Sequence, residues 1–69
     1  MSKRSLKNNI RSFRFHQGEM TQQQLAEKVG VTRQTIIAIE MGKYSPSLEL
    51  AFLISLVFDR PLNEVFSYE

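Results

Sequence analysis

Apolar side chains along this chain recur at helical spacing in five segments, which are separated by short stretches containing glycine, proline or hydroxyl residues. In the first segment Leu6, Ile10 and Phe13 follow one another at intervals of four and three, which predicts a helix from about Ser5 to Gln17. No stretch alternates apolar and polar residues over four or more positions, so the pattern predicts no strands. The expected fold class is all-α.

The second segment has both a start signal and a stop signal for a helix. Thr21 followed by Gln24 three residues later is the signature of a capping box. Gly30 suits the end of this helix because glycine adopts positive φ without a steric penalty. The apolar residues that this helix is predicted to bury are Leu25, Ala26 and Val29.

The third segment predicts a short helix that begins after Thr32 as its N-cap and ends near Gly42. Its Ile36 and Ile39 are spaced to face inward. The turn at residues 29–31 is too tight for an antiparallel helical hairpin, so it redirects the chain steeply. This arrangement is typical of a helix-turn-helix, in which the second helix projects an exposed face.

Two more helices are predicted after the third. Ser47, preceded by Pro46, is the N-cap of a fourth helix that continues to about Phe58. A short fifth helix begins near Pro61. We therefore expect a compact five-helix bundle that forms one domain over residues 1–69. The apolar residues of the fifth helix are Leu62, Val65 and Phe66.

The third helix leaves a chemically distinctive face outward. Opposite its two inward isoleucines lie Arg33, Gln34, Ile37 and Ala38. A guanidinium can bind guanine and a glutamine amide can bind adenine through paired hydrogen bonds, while an apolar side chain can contact the methyl group of thymine. A helix that is merely solvated more often carries Glu and Lys there. The face predicts base reading in the DNA major groove, with an ordinary helical bundle as the alternative.

Charge is distributed unevenly along the chain, although its net value is only +2. Residues 1–20 carry five basic side chains and one acidic one, whereas residues 48–69 carry one basic and four acidic ones. A polyanion would approach the basic end. The start of the chain is interpreted as either a disordered segment, over residues 1–4, or a phosphate-seeking arm formed by Lys3, Arg4 and Lys7.

Composition argues against several classes of protein. The chain has no cysteine and one histidine, so a structural metal would have too few ligands, and we expect no metal and no cofactor. His16 has no third group to complete a catalytic triad, so we expect no enzyme activity. The amino-terminal basic residues are not followed by the apolar stretch of a signal peptide. The longest apolar-rich run, residues 50–58, is shorter than the ~20 residues of a membrane span. We expect a cytoplasmic protein.

These residues and spacings resemble the phage repressor and Cro group, the XRE-type helix-turn-helix family, and imply its lambda repressor-like fold. The resemblance runs from about Asn9 to the C-terminus. By position it implies that Arg33, Gln34 and Ala38 read bases. The positions that it implies contact the DNA backbone are Gln22, Thr32, Thr35 and Lys43, with a flanking base as the alternative contact of Gln22. Its most specific stretches are residues 20–22, 25–26, 29–32, 34–36, 39–40, 42–43 and 46–48.

The resemblance also implies a partly buried ion pair between Arg14 and Glu40, which would join the first helix to the end of the third. The chain departs from the family at Met41, where relatives often have an asparagine that contacts phosphate. Ala38 is too short for the hydrogen bonds of a longer polar residue, so it can offer only an apolar contact. Tyr44 is expected either to reach the DNA backbone or to pack against the protein.

The fourth helix is apolar nearly all round, and five of its residues suffice to face the core: Leu48, Ala51, Phe52, Ser55 and Phe58. A helix that is apolar on all sides is normally buried on more than one side. We interpret the surplus as a homodimer interface, with coverage by the fifth helix and the tail as the alternative. The predicted interface residues are Leu50, Leu53, Leu56, Val57, Phe66 and Tyr68.

Together these features predict a sequence-specific transcriptional repressor that binds double-stranded DNA as a homodimer. Each subunit would insert residues 33–41 into one major groove of a palindromic operator. Two alternatives remain open. The same fold could serve as an antitoxin that also binds a toxin partner, or as a protein-interaction module that does not bind DNA.

Overall fold

The computed structural model describes residues 5–68, so the arm predicted at residues 1–4 lies outside the described residues. The described chain is mainly helical, as predicted, with a short strand at each end. The elements in chain order are β1 (Leu6–Asn8), α1 (Ile10–His16), α2 (Gln22–Val29), α3 (Arg33–Glu40), α4 (Leu48–Phe58), α5 (Leu62–Val65) and β2 (Phe66–Tyr68).

Helix α2 begins and ends as its sequence predicts. The Thr21 hydroxyl accepts a hydrogen bond from the backbone N–H of Gln24 at 3.0 Å, and the Gln24 side chain accepts one from the backbone N–H of Thr21 at 2.9 Å. These reciprocal bonds complete the capping box. At the other end Gly30 has φ +77°, a left-handed conformation in which a side chain is strained. The turn that follows leads directly into α3.

Helix α3 is also closed at both ends by its own sequence. Its N-cap is Thr32, whose hydroxyl accepts from the backbone N–H of Thr35. At its C-terminus Gly42 has φ +75°, and the N–H of Lys43 donates to the carbonyl of Ala38 at 2.9 Å. This is a Schellman ending, which supplies partners for the last carbonyls of the helix. Both ends of α3 are therefore determined by residues that lie next to them in the sequence.

The core lies where α1, α2, α3, α4 and α5 meet. Its largest fully buried side chains come from five different helices, so the packing of each helix depends on the others. Burying a side chain of this size contributes about 1.5–3 kcal/mol to folding. The core therefore fixes the direction in which α3 presents its outer face. These side chains are Ile10, Leu25, Ile36, Ile39, Ile54 and Val65.

The prediction of no strands was wrong, because residues 6–8 and 66–68 pair as a two-stranded antiparallel sheet. Leu6 pairs with Tyr68 and Asn8 pairs with Phe66, and the backbone N–H of Asn9 donates to the carbonyl of Val65 at 2.9 Å. Helix α1 consequently begins at residue 10 instead of residue 5. The register is set by contacts between residues about sixty positions apart, which a local pattern does not contain.

The face that α4 turns to the core also differs from the prediction. Leu48 and Phe52 were expected inside but are 69% and 49% exposed, whereas Leu50 is only 8% exposed. The Ser55 hydroxyl is buried as expected and donates to the carbonyl of Ala51 at 3.0 Å. Phe66 is likewise buried, at 8% exposure, so neither Leu50 nor Phe66 can belong to the predicted dimer interface. Both are core residues of the single chain.

Apolar though α4 is, no helix within residues 5–68 has the length and hydropathy needed to cross a membrane.

Candidate nucleic-acid interface

The outer face of α3 begins with two exposed polar side chains. Arg33 and Gln34 occupy the first turn of the helix, and both are exposed. Ile37 and Ala38, one turn further on, are half-buried. A guanidinium, a carboxamide and small apolar surfaces are thus presented side by side on one short helix. These are the groups that distinguish base pairs in a major groove.

The start of α3 is held rigidly by its cap. The hydroxyl of Thr32 lies 3.1 Å from that of Thr35, in addition to accepting the Thr35 N–H. Thr32 is exposed and Thr35 is half-buried. The cap supplies a hydrogen-bond partner for the first turn of α3, from which Arg33 and Gln34 project.

Beside α3 lies an open groove that reaches α1 and the start of α2. Its outer rim carries Arg11 of α1 and Arg33 of α3, and Gln22 and Gln23 lie at the α2 end. Ile37 and Met41 form an apolar wall along α3, and Met41 is 61% exposed. The groove therefore combines cationic, amide and apolar groups beside the exposed face of α3.

The floor of this groove contains the ion pair between Arg14 and Glu40. The Arg14 Nε donates to Glu40 Oε2 at 2.7 Å and its Nη2 donates to Oε1 at 3.0 Å, which is a bidentate arrangement. The side chains are only 14% and 10% exposed. A further Arg14 N–H donates to the carbonyl of Met20 at 2.8 Å. The pair joins α1 to the end of α3, as predicted, and the bond to Met20 connects both to the loop before α2.

Glu40 also binds a side chain at the α2 end of the groove. The Nε2 of Gln22 donates to Glu40 Oε1 at 3.3 Å. This bond uses one N–H of the Gln22 amide, so the other N–H remains available toward the groove. Gln22 is half-buried at the first position of α2. The Glu40 carboxylate, which pairs with Arg14 on the floor of the groove, therefore also orients the Gln22 side chain.

Comparison with known proteins identifies the family. A helix-turn-helix family model matches residues 10–65, which span α1 to α5. The chain belongs to the helix-turn-helix family. Within it, α2 and α3 are the two helices of the motif, and α3 is the second helix, whose outer face carries Arg33 and Gln34. The resemblance to XRE-type members is confirmed.

Helix-turn-helix proteins of similar length resemble this chain along nearly all of both sequences. An HTH-type transcriptional regulator of Methanocaldococcus jannaschii is 51% identical over 65 residues, covering 93% of this chain and 96% of the relative. One of Archaeoglobus fulgidus is 47% identical, covering 93% and 90%. The regulator YgzD of Bacillus subtilis is 45% identical, covering 93% and 96%. Family and relatives support assignment to the DNA-binding regulators.

The loop after α3 extends this helix-turn-helix surface. Lys43 and Tyr44 are both exposed, and Tyr44 is 51% exposed. Two of the residues that the resemblance associates with the DNA backbone lie outside α3 and its cap. Gln22 lies at the start of α2, and Lys43 lies beyond the end of α3.

Arg11 was not among the residues predicted for the site and was noted only as one of the basic residues of the amino-terminal third. A signal was available, because residues three apart on a helix share a face and Arg11 lies three residues before Arg14. The groove that both residues line was visible only once α1, α2 and α3 were packed together.

Among residues 5–68 there is no group of three or more His, Asp or Glu side chains that could hold a metal ion. The chemistry of the described groove is that of hydrogen bonding, charge and apolar contact.

Proposed function

We propose that this chain is a transcriptional repressor that binds a palindromic operator as a homodimer, with one α3 in each of two successive major grooves. The half-sites of such an operator are separated by about 34 Å, one turn of DNA. The observation that carries the proposal is the exposure of Arg33 and Gln34 in a first turn that is already fixed by the Thr32 cap.

Base reading is assigned to the outer face of α3. Arg33 suits paired hydrogen bonds to guanine, and Gln34 suits adenine. Ile37 and Ala38 are half-buried and short of polar atoms, so their contribution is apolar contact with thymine methyl groups. Contacts to the DNA backbone are assigned to the flanking side chains, which are Gln22, Thr32, Thr35, Lys43 and Tyr44. Such contacts set register without reading sequence.

The dimer is assigned to the exposed apolar face of α4. Leu48, Phe52 and Leu56 recur every four residues along this face and are 69%, 49% and 74% exposed. Leu53, at 39%, widens it. Of the residues predicted for the interface, Leu53, Leu56 and Tyr68 remain on the surface and Val57 is half-buried. A second copy is the proposed occupant, because a two-fold axis lets one apolar strip cover its own counterpart.

The sharpest test of DNA binding is selection of bound duplexes from a random pool. The proposal expects an enriched sequence with two-fold symmetry and half-sites about 10 base pairs apart. Enrichment of a single half-site would contradict the homodimer, and no enrichment at low salt would contradict DNA binding. Transcription in vitro from a promoter containing the selected site then tests repression, since a rise in transcript would identify an activator.

A variant of Arg33 tests base reading separately. Arg33→Ala should weaken binding to the selected site by roughly 1–3 kcal/mol and relax the choice at one base pair. Arg60→Ala removes an equal charge between α4 and α5 and is the matched control. Equal weakening by Arg33→Ala on the selected and on unrelated duplexes would mean that Arg33 contacts only phosphate.

The dimer is tested by charging its proposed interface. Leu56→Lys should give a folded monomer in sedimentation at micromolar concentration, because an ammonium opposed by its own copy is repelled. Phe15→Lys, on α1, is the control, since Phe15 is a comparably exposed apolar residue at 65%. A wild-type chain that sediments as a monomer contradicts this assignment.

The same apolar strip favours a second candidate function, that of an antitoxin. In that case the strip on α4 would bind a different protein while α3 binds DNA. A heterologous complex recovered from the native host, with the strip protected in it and the isolated chain monomeric, would favour the antitoxin. Failure to bind any genomic fragment at low salt would instead favour a protein-interaction module.

A further inference from the structure

The groove between α1 and α3 has an exposed arginine on each side, Arg11 on α1 and Arg33 on α3. Arg33 belongs to the face of α3 that is assigned to bases. Arg11 lies on α1, lines the same groove and is exposed. Within residues 5–68, the Arg11 side chain forms no hydrogen bond or ion pair. No carboxylate of the described residues lies within ion-pair distance of its guanidinium.

The position of Arg11 at the start of α1 further disfavours its unpaired charge. Arg11 is the second residue of α1, and the first turn of that helix contains no acidic residue. A helix presents partial positive charge at its N-terminus, so a cation in the first turn is disfavoured there. Arg14, about one turn further along α1, forms its ion pair with Glu40. An external anion would satisfy Arg11, and no side chain of the described chain does so.

The groove is shaped and charged for a polyanion passing between its rims. Apart from the paired Arg14 and Glu40, its charged lining residues are Arg11, Arg33 and Glu19. Two cations thus face one carboxylate in an open groove that runs beside the DNA-facing helix. Backbone phosphates flank any base pair that α3 reads, because the major groove is bounded by both strands.

We infer that Arg11 is a further DNA-contacting residue, which binds a backbone phosphate. It would do so from the side of the protein groove opposite Arg33. This inference rests on the proposed DNA-binding function. It extends the interface from the helix-turn-helix itself onto α1. Because a phosphate contact carries no sequence information, Arg11 contributes equally to binding of selected and of unrelated duplexes.

The test is the salt dependence of binding by Arg11→Gln, measured by fluorescence anisotropy on the selected operator and on an unrelated duplex. Each phosphate contact contributes about 0.9 to the slope of log K against log salt. The slope should therefore fall by about 0.9 per protomer, and affinity should fall about eightfold per protomer at about 0.1 M salt. Both duplexes should be affected equally, and Arg11→Lys should restore most of the slope.

Arg60→Gln is the matched control, since Arg60 is an exposed arginine that pairs with Glu64 outside this groove. An equal loss of slope in Arg60→Gln would show that only net charge matters and would overturn the inference. A wild-type slope in Arg11→Gln, with the wild-type chain binding DNA, would overturn the inference alone. Absence of DNA binding by the wild-type chain would overturn the proposed function as well. Circular dichroism should show unchanged folding, because Arg11 makes no bond within the described chain.

Discussion

The partly buried ion pair between Arg14 and Glu40 offers the most direct test of how this small fold is held together. In Glu40→Gln the side chain keeps its size but has one acceptor oxygen in place of two. The Arg14 guanidinium donates to both oxygens, at 2.7 and 3.0 Å. One of these bonds must therefore be lost or opposed by an amide N–H. The guanidinium also keeps a charge that no carboxylate balances at that point.

The size of the effect follows from the burial of both side chains. Water has little access to replace the lost bond, because Arg14 is 14% exposed and Glu40 is 10% exposed. A hydrogen bond to a charged group contributes about 1.5–3 kcal/mol, so we expect Glu40→Gln to lower the free energy of unfolding by about 2 kcal/mol. A chain of this size rarely has more than about 3–5 kcal/mol in total. The melting temperature should fall by about 8–16 °C.

Urea unfolding followed by far-ultraviolet circular dichroism measures this change. Glu64→Gln is the matched control, since Glu64 pairs with Arg60 at 3.6 Å and both side chains are more than half exposed. Exposed pairs contribute only about 0–1 kcal/mol, so the control should be close to the wild-type chain. If Glu40→Gln and Glu64→Gln unfold at the same urea concentration, the ion pair does not carry the stability assigned to it.

Three further changes test the turns and the groove. Gly30→Ala should lower the free energy of unfolding by about 1 kcal/mol in urea unfolding, because the backbone at φ +77° disfavours a side chain. An added Cβ meets no atom within 4 Å, so no steric clash contributes. An unchanged urea midpoint would contradict this prediction. Asp59→Gly should stabilise the chain by about 0.5–1 kcal/mol, because Asp59 has φ +53° at the C-terminus of α4, and any loss of stability would argue otherwise. Glu19→Gln should tighten DNA binding in the anisotropy assay, whereas weaker binding would mean that its carboxylate does not face phosphate.

The helix-turn-helix could be predicted from the sequence because its signals are local. Thr21 with Gln24, Gly30 and Thr32 each act on backbone groups within a few residues of themselves. Such caps and turns determine where α2 and α3 begin and end whatever surrounds them. The inward residues follow from helical spacing once these bounds are known. The exposed face of α3 was therefore predicted together with the helix.

The ends of the chain could not be predicted in the same way. Leu6, Ile10 and Phe13 have helical spacing, yet only the last two lie in α1. Leu6 is instead in a strand, where its partner is Tyr68. Three-residue strands are too short to show alternation, and their pairing depends on the ends meeting in the folded chain. Tertiary contacts override local spacing here.

Helix α4 shows a different limit of sequence reasoning. When nearly every residue of a helix is apolar, periodicity no longer identifies the buried face. The choice of Leu48 and Phe52 over Leu50 as core residues was consequently wrong. The proposed dimer interface therefore loses Leu50 and gains Leu48 and Phe52. With Phe66 buried, the apolar surface is concentrated on α4 and does not extend through the whole of β2.

If Gln22 contacts the DNA backbone as proposed, its hydrogen bond to Glu40 links DNA binding to stability on that side of the interface. Removing the Glu40 charge should weaken the fold and also loosen Gln22, so DNA binding should fall together with the melting temperature. The Arg33 side chain forms no hydrogen bond or ion pair within residues 5–68, so Arg33→Ala should lower DNA affinity at an unchanged melting temperature. Variants defective in DNA binding should therefore separate into two groups when both quantities are measured. A common loss of stability in both would show that α3 is held in place by its outer face, contrary to the packing described above.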